Sequence, residues 1–141
     1  MAKYWLGVVS RAHVQRGKQG GFAQVCHGKQ APLQRMQPGD WLIYYSPTEI
    51  FGEKTPCRKF TALGQVLERA PYQVQMAPDF SPWRRDIAYQ VTTDVAIEPL
   101  IPLLSFIKNK SSWGYVFRFG LFAIPATDFK LVAAQMLLKN D

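Results

Sequence analysis

Strand signals dominate the chain. Tyr4 to Val9 is a short aromatic and β-branched run with hardly a polar side chain, which suits a strand buried on both faces. Trp41-Leu42-Ile43-Tyr44-Tyr45 repeats the pattern between the turn Pro38-Gly39-Asp40 and the stop Ser46-Pro47. Phe60 to Glu68 predicts a further strand, in which Gly64 marks a bulge or a close backbone approach. Tyr72, Val74 and Met76 alternate with Gln73 and Gln75, and Ile87, Tyr89 and Val91 alternate with Ala88 and Gln90, the period of half-buried antiparallel strands. Tyr115 to Ile124 predicts a last strand. It sets Phe117, Phe119 and Leu121 on one face and Arg118, Gly120 and Phe122 on the other, leaving Arg118 for the mouth of a barrel.

Helical signals fall between and after these runs. Residues 12–16 predict one turn of helix ahead of a glycine loop, Gly17-Lys18-Gln19-Gly20-Gly21, and Ala31 to Met36 predicts another. Pro102 suits the first turn of a short helix over Leu103 to Lys108. In the last helix Thr127 is the candidate cap, Asp128 favours the positive end, and Phe129, Val132, Ala133 and Met136 form one apolar face. The expected architecture is α+β and mainly β: a small barrel of about six strands with short helices at the ends, whose closure hides strand edges.

At 141 residues the chain is expected to form a single domain, 1–141, long enough to bury a core without metal or disulfide staples. Hydrophobic residues make up 48% of it, which excludes a disordered segment. No stretch approaches a membrane span, since the most apolar region, Val95 to Ile107, contains Glu98, Pro99 and Pro102. The opening Met-Ala-Lys runs straight into the first strand without a signal-peptide pattern, and Cys26 and Cys57 are too few for a disulfide framework. A cytoplasmic protein with free thiols is expected.

Charge changes the picture. The formal net charge is +7, and residues 1–39 hold Lys3, Arg11, Arg16, Lys18, Lys29 and Arg35 before the first acid, Asp40. A basic face there attracts polyanions, of which nucleic acid is the commonest inside a cell, although a solvated face kept soluble by charge has the same composition. Candidate chemistry is sparse. The glycine loop lacks the Walker pattern, so it reads as turn chemistry or as a flexible basic loop beside a phosphate. His13, Cys26, His27 and Cys57 have no metal-ligand spacing, and neither a metal nor any other cofactor is expected. Carboxylates are unpaired, which disfavours general acid and base work. Phe80-Ser81-Pro82-Trp83-Arg84-Arg85 is different, because a tryptophan beside two arginines offers a stacking surface next to phosphate-pairing charges. Core packing by Trp83 with snorkelling arginines fits the same segment.

Four segments together carry a resemblance: Tyr-Trp-Leu-Gly-Val-Val-Ser at the start, Gly-Gly-Phe-Ala-Gln-Val-Cys-His-Gly-Lys, Pro-Gly-Asp-Trp-Leu-Ile-Tyr-Tyr-Ser-Pro, and the closing Phe-Arg-Phe-Gly-Leu-Phe-Ala-Ile. In order and spacing they resemble an EVE domain of the PUA-like superfamily, related to YTH domains, over essentially the whole chain. The resemblance implies a PUA-like β-barrel whose pocket takes a single modified base out of DNA or RNA, as a reader working alongside restriction or RNA-modification proteins. Ser10 matches the serine closing the family's first strand, Tyr45-Ser46 the end of its second strand, and Trp83 the tryptophan near the pocket. Two departures matter. Arg11 and Ala12 stand where many members have an acid and a proline, and Val25-Cys26-His27-Gly28-Lys29 stands where many have Arg-Asn-Tyr-Gln-Ala. The ligand preference of other members is therefore not carried over.

The leading expectation is a non-catalytic module for a modified base. Trp83 would stack, Ser10 and His27 would read the base edge, and Lys29, Arg84, Arg85 and Arg118 would hold phosphates, with Cys26, Tyr45 and Ser46 completing the site. The alternative is an amidohydrolase-like enzyme on a modified nucleoside or nucleotide, as in related ASCH domains, with Lys29, His27 or Cys26 as its working group. A protein-binding adaptor is a third class, which a purely apolar pocket would favour.

Overall fold

The computed structural model describes residues 2–137. Along the chain the strands are β1 (Tyr4–Val8), β2 (Phe22–Ala23), β3 (Trp41–Thr48), β4 (Pro56–Val66), β5 (Tyr72–Gln73), β6 (Trp83–Tyr89), β7 (Val95–Ala96) and β8 (Leu121–Ile124). The α-helices are α1 (Arg11–Gly20), α2 (Gln30–Arg35) and α3 (Ala126–Leu137), and the segments Glu98–Leu103 and Lys110–Phe119 form 3-10 helix. The sheet runs β2-β6-β4-β3-β1-β8, with β5 added to β6 and β7 to β4, as an open half-barrel. β1 lies parallel to β3, Tyr4 opposite Trp41 and Val8 opposite Tyr45, and antiparallel to β8.

Both faces of the central strands are covered, which is why their sequences are apolar throughout. Leu6, Ile43 and Tyr45 point into one core beneath Phe129, Val132 and Met136 of α3, with Phe106 and Phe117. Trp5, Leu42 and Tyr44 point the other way, into a second core closed by Val14 of α1 and by Leu33 and Met36 around α2. Gly64 is a close approach as expected: a Cβ there would meet Ile87 Cγ2 at 2.5 Å.

Several elements differ from the sequence expectation. The residues before β8 are not strand, because Trp113, Val116 and Phe117 face the first core at helical spacing while Phe119 turns out to solvent. Gly120, at φ 79°, then redirects the chain into β8. The glycine stretch is the last turn of α1 and not a loop. Cβ atoms at Gly17 and Gly20 would lie 2.6 and 2.5 Å from Phe22 atoms, so these glycines let the helix sit on β2. The helix expected over Leu103 to Lys108 lies earlier, at Glu98–Leu103, with Pro102 inside it. The fourth strand shrinks to β5, because Ala77–Phe80 turns the chain back and leaves Met76 exposed. Thr127 falls within the first turn of α3 and is not its cap, while Asp128 accepts hydrogen bonds from Ser105 N, Ser105 Oγ and Phe106 N.

Asp40, 2% exposed, accepts from Lys3 N, Trp5 Nε1 and Gln37 N, each at 2.9 Å. Burial pushes its carboxyl up, but these three donors outweigh it and hold the pKa below the usual value. Asp40→Ala orphans all three and is expected to cost about 3 kcal/mol in urea unfolding at neutral pH. That stabilisation is present above the unfolded carboxylate pKa and lost as pH falls through the lowered folded one.

His13 works over a higher range. Burial lowers its pKa, only partly countered by its 2.8 Å hydrogen bond to Gln24 O, so the unfolded chain takes up the proton first. Stability is therefore expected to fall as pH drops below about 6.5. His13→Gln should flatten the unfolding profile between about pH 7 and 5.

Candidate functional site

The connection between β2 and α2 holds two of the three non-glycine residues at positive φ among the described residues, Arg58 being the third. Cys26, His27 and Gly28 take φ of 51°, 61° and 82°, a left-handed turn closed by Gly28 N donating to Val25 O and Lys29 N to Cys26 O. For L-residues this conformation costs roughly 1–2 kcal/mol each, so packing must impose it. Three neighbours touch the turn. A Cβ at Gly28 would lie 2.5 Å from Pro82 Cβ, showing how tightly the turn rests on the start of β6. Cys26 Sγ lies against Gly120, 2.7 Å from where a Cβ would stand. The His27 ring meets the Phe51 ring edge-on, centroids 5.9 Å apart.

The end of β1 arrives at the same place. Val8 N donates to Gly120 O and Val9 N to Tyr45 O, and Ala12 N donates to Glu49 O in the β3–β4 hairpin. The turn, the hairpin tip, the β1–α1 junction and the Gly120 bend thus converge on one patch. Its rim is aromatic and exposed: Phe51 is 76% accessible, and Tyr115 and Phe119 flank Arg118, whose guanidinium lies 3.8 Å from the Tyr115 centroid and 5.1 Å from that of Phe119. The Tyr115 hydroxyl accepts a hydrogen bond from Arg118.

The expected site residues divide sharply. Cys26, His27, Lys29 and Arg118 lie on or beside this patch, His27, Lys29 and Arg118 exposed and Cys26 half-buried. Ser10 is buried and caps α1, its Oγ accepting from His13 N. Tyr45 is buried and stacks on Phe117 at 4.2 Å, and Ser46 is buried with its Oγ 2.8 Å from Thr61 Oγ1, so neither side chain is open to a ligand. Arg84 and Arg85 point to opposite faces of β6. Arg84 lies over the Phe22 ring and donates to Gln24 Oε1 at 3.0 Å. Arg85, 5% exposed, donates to Leu33 O and Met36 O at the end of α2. There it satisfies orphan carbonyls of that helix and is not open to a phosphate. Trp83 shares the face of Arg85 and packs half-buried against the second core, as do Val9 and Cys26.

Phe51 was not among the expected residues. Its signal was present in Glu49-Ile50-Phe51-Gly52, where two large apolar side chains occupy a turn that folding alone would make polar. Tyr115 and Phe119 were missed because the segment was expected to be strand. Burial pushes the Cys26 thiol pKa up despite Lys29 and Arg35, and burial with Glu49 pushes Cys57 up to about 11. Neither is an activated thiolate at neutral pH. Among the described residues no cluster of His, Cys, Asp or Glu has the makings of a metal site, and no helix is long and apolar enough to cross a membrane.

Comparisons agree with this architecture. A UPF0310 protein of Mesorhizobium japonicum is 49% identical, the match covering 96% of this chain and 93% of that one. A UPF0310 protein of Bacillus licheniformis is 52% identical over 91% of this chain and 87% of its own. Among solved structures, the NMR structure of Rpa0253 from Rhodopseudomonas palustris superposes with a TM-score of 0.58 at 17% identity, covering 99% of this chain and 97% of that chain. The crystal structure of Atu2648 from Agrobacterium tumefaciens gives 0.58 at 12%, covering 98% and 96%. The EVE domain model matches residues 3–135, and the chain belongs to the EVE domain family.

Proposed function

We propose that this chain is a non-catalytic module that binds DNA or RNA and takes one modified base out of the stack at the Cys26–Gly28 turn. The observation carrying this reading is that strained turn, held beside exposed aromatic rings and unburied cations. A flipped base needs a flat partner and edge contacts to offset a few kcal/mol of unstacking. Phe51 and His27 supply rings, the turn supplies backbone polar groups, and the Tyr115–Arg118–Phe119 stack supplies a platform for a neighbouring base. Lys29, Arg84 and Arg118 are the phosphate contacts in this reading, and Arg85 is withdrawn from it. Trp83 is a wall of the second core that backs the site.

The amidohydrolase alternative is left with Lys29 or His27 as its working group, because burial raises the Cys26 thiol pKa.

Fluorescence anisotropy with labelled oligonucleotides, single- and double-stranded, with and without modified cytosine or adenine, tests the proposal. Preferential binding of one modified strand is expected, and no binding to any strand at low salt overturns it. Phe51→Ala should cost about 1–3 kcal/mol of affinity while leaving the unfolding midpoint unchanged, since the ring is exposed.

The cations should separate in a salt titration. Lys29→Gln and Arg118→Gln are expected to weaken modified and unmodified strands alike and to make the salt dependence shallower by about one ion each. Arg85→Gln should leave that slope unchanged and instead lower stability by about 2 kcal/mol, because α2 loses its carbonyl partner.

A further inference from the structure

A second polar concavity opens on another side of α1. β6 leaves the edge of β4 after Gln90, whose N still donates to Leu63 O, and β7 rejoins it at Val95, so residues 91–94 arch away from β4 near Thr61. Between the arch, β4 and α1 lies a cavity of about 460 Å³. It is distinct from the Cys26–Gly28 patch. Arg11, Val14, Gln15 and Lys18 line it as one stripe of α1, while His13 on the opposite side of that helix faces Gln24.

The cavity is braced. Thr93 donates to Met136 O through both N, at 3.0 Å, and Oγ1, at 3.3 Å, which pins the arch to α3. Asp94 pairs with Arg11 Nε at 2.7 Å, closing arch to helix. Arg11 also lies 3.6 Å from Glu49, so its charge is already answered twice. Lys18 and Lys59 are different: they line the same cavity from α1 and β4, and among the described residues neither forms a salt bridge. Two ammonium groups sharing a concave surface favour an anion between them. Thr92 also lines the wall, and its Oγ1 is buried without a hydrogen-bond partner, so turning that hydroxyl toward a ligand acceptor would break no existing bond.

We propose that this cavity binds a small phosphomonoester. Lys18 and Lys59 hold the phosphate, Thr92 donates to it, and Asp94 accepts from a hydroxyl or amino group on the remainder of the molecule. The volume lies in the usual range for small-ligand sites and suits a sugar phosphate or a mononucleotide better than phosphate alone. Asp94 disfavours a ligand anionic at both ends.

The experiment is a titration of the full chain with inorganic phosphate, ribose 5-phosphate and adenosine 5′-monophosphate at constant ionic strength. Calorimetry gives affinity and backbone amide NMR shifts give location. Saturable binding of at least one organic phosphate, tighter than inorganic phosphate, is expected, with shifts at Lys18, Lys59 and residues 92–94. The two organic probes distinguish a sugar-phosphate site from one that reads the base as well. Lys18→Gln and Lys59→Gln should each weaken binding about tenfold. Thr92→Val should weaken it without lowering the unfolding midpoint, because it removes a hydroxyl the fold leaves unpaired. Phe51→Ala should leave it unchanged, so failure here and failure of the base-binding reading are separable. Absence of saturation, shifts confined to residues 26–29, or affinity indifferent to both lysine substitutions would overturn the proposal.

Discussion

The Asp40 carboxylate is the constraint on which the remainder of the structure rests. A parallel pair such as β1 and β3 cannot take its register from a hairpin turn, because the connection between them is a long crossover. Asp40 supplies that register instead. Its oxygens hold Lys3 N and Trp5 Nε1 at the start of β1 and Gln37 N in the turn before β3, while its carbonyl accepts from Val66 N at the end of β4. A slip of one residue would exchange the two faces of β1, sending Leu6 toward the core that holds Trp5 and the reverse. With register set at one end, the other end of β1 reaches Tyr45 and Gly120, and α1 starts where Ser10 can cap it.

Structural use of polar groups decides what remains for binding. The chain carries a large positive excess, yet its basic residues are not equivalent. Arg85 closes a helix end, Arg11 braces two elements through Asp94, and Arg35 lies over the Trp5 ring and reaches Leu121 O. Alternation along β6 separates the adjacent pair Arg84 and Arg85, giving one to the Gln24 face and the other to the interior. Net charge therefore overstates how many cations stand clear of a structural role.

Much of the fold was legible from local pattern. Runs such as Tyr4–Val8 and Trp41–Tyr45 are apolar at every position, and only a strand covered on both faces asks for that. The family's motifs pointed to the Cys26–Lys29 turn, and the turn is where the elements converge. The misreadings arose where local pattern and packing part company. Trp113 to Phe119 has strand-like composition, but Phe117 stacks on Tyr45 from a 3-10 segment, a contact between residues distant in sequence. The glycines of α1 looked like a loop because their reason, the Phe22 ring and carbonyl, lies outside the helix. Ser10, Tyr45 and Ser46 carried family signal without accessibility, which sequence does not encode directly.

Both candidate sites lie where strand pairing is interrupted. β2 ends after Ala23, and the chain turns left-handed at Cys26 instead of extending the ladder on β6. β6 and β7 share one edge of β4 with residues 91–94 arched between them. The break after β2 also keeps that edge strand of the open sheet short, which limits pairing with another chain. At each break the chain leaves the ladder for other partners, Gly28 N on Val25 O in the turn and Thr93 N on Met136 O in the arch. Both irregularities thereby shape the surface beside them, so substitutions that regularise either break should enlarge the sheet at the expense of the candidate site next to it.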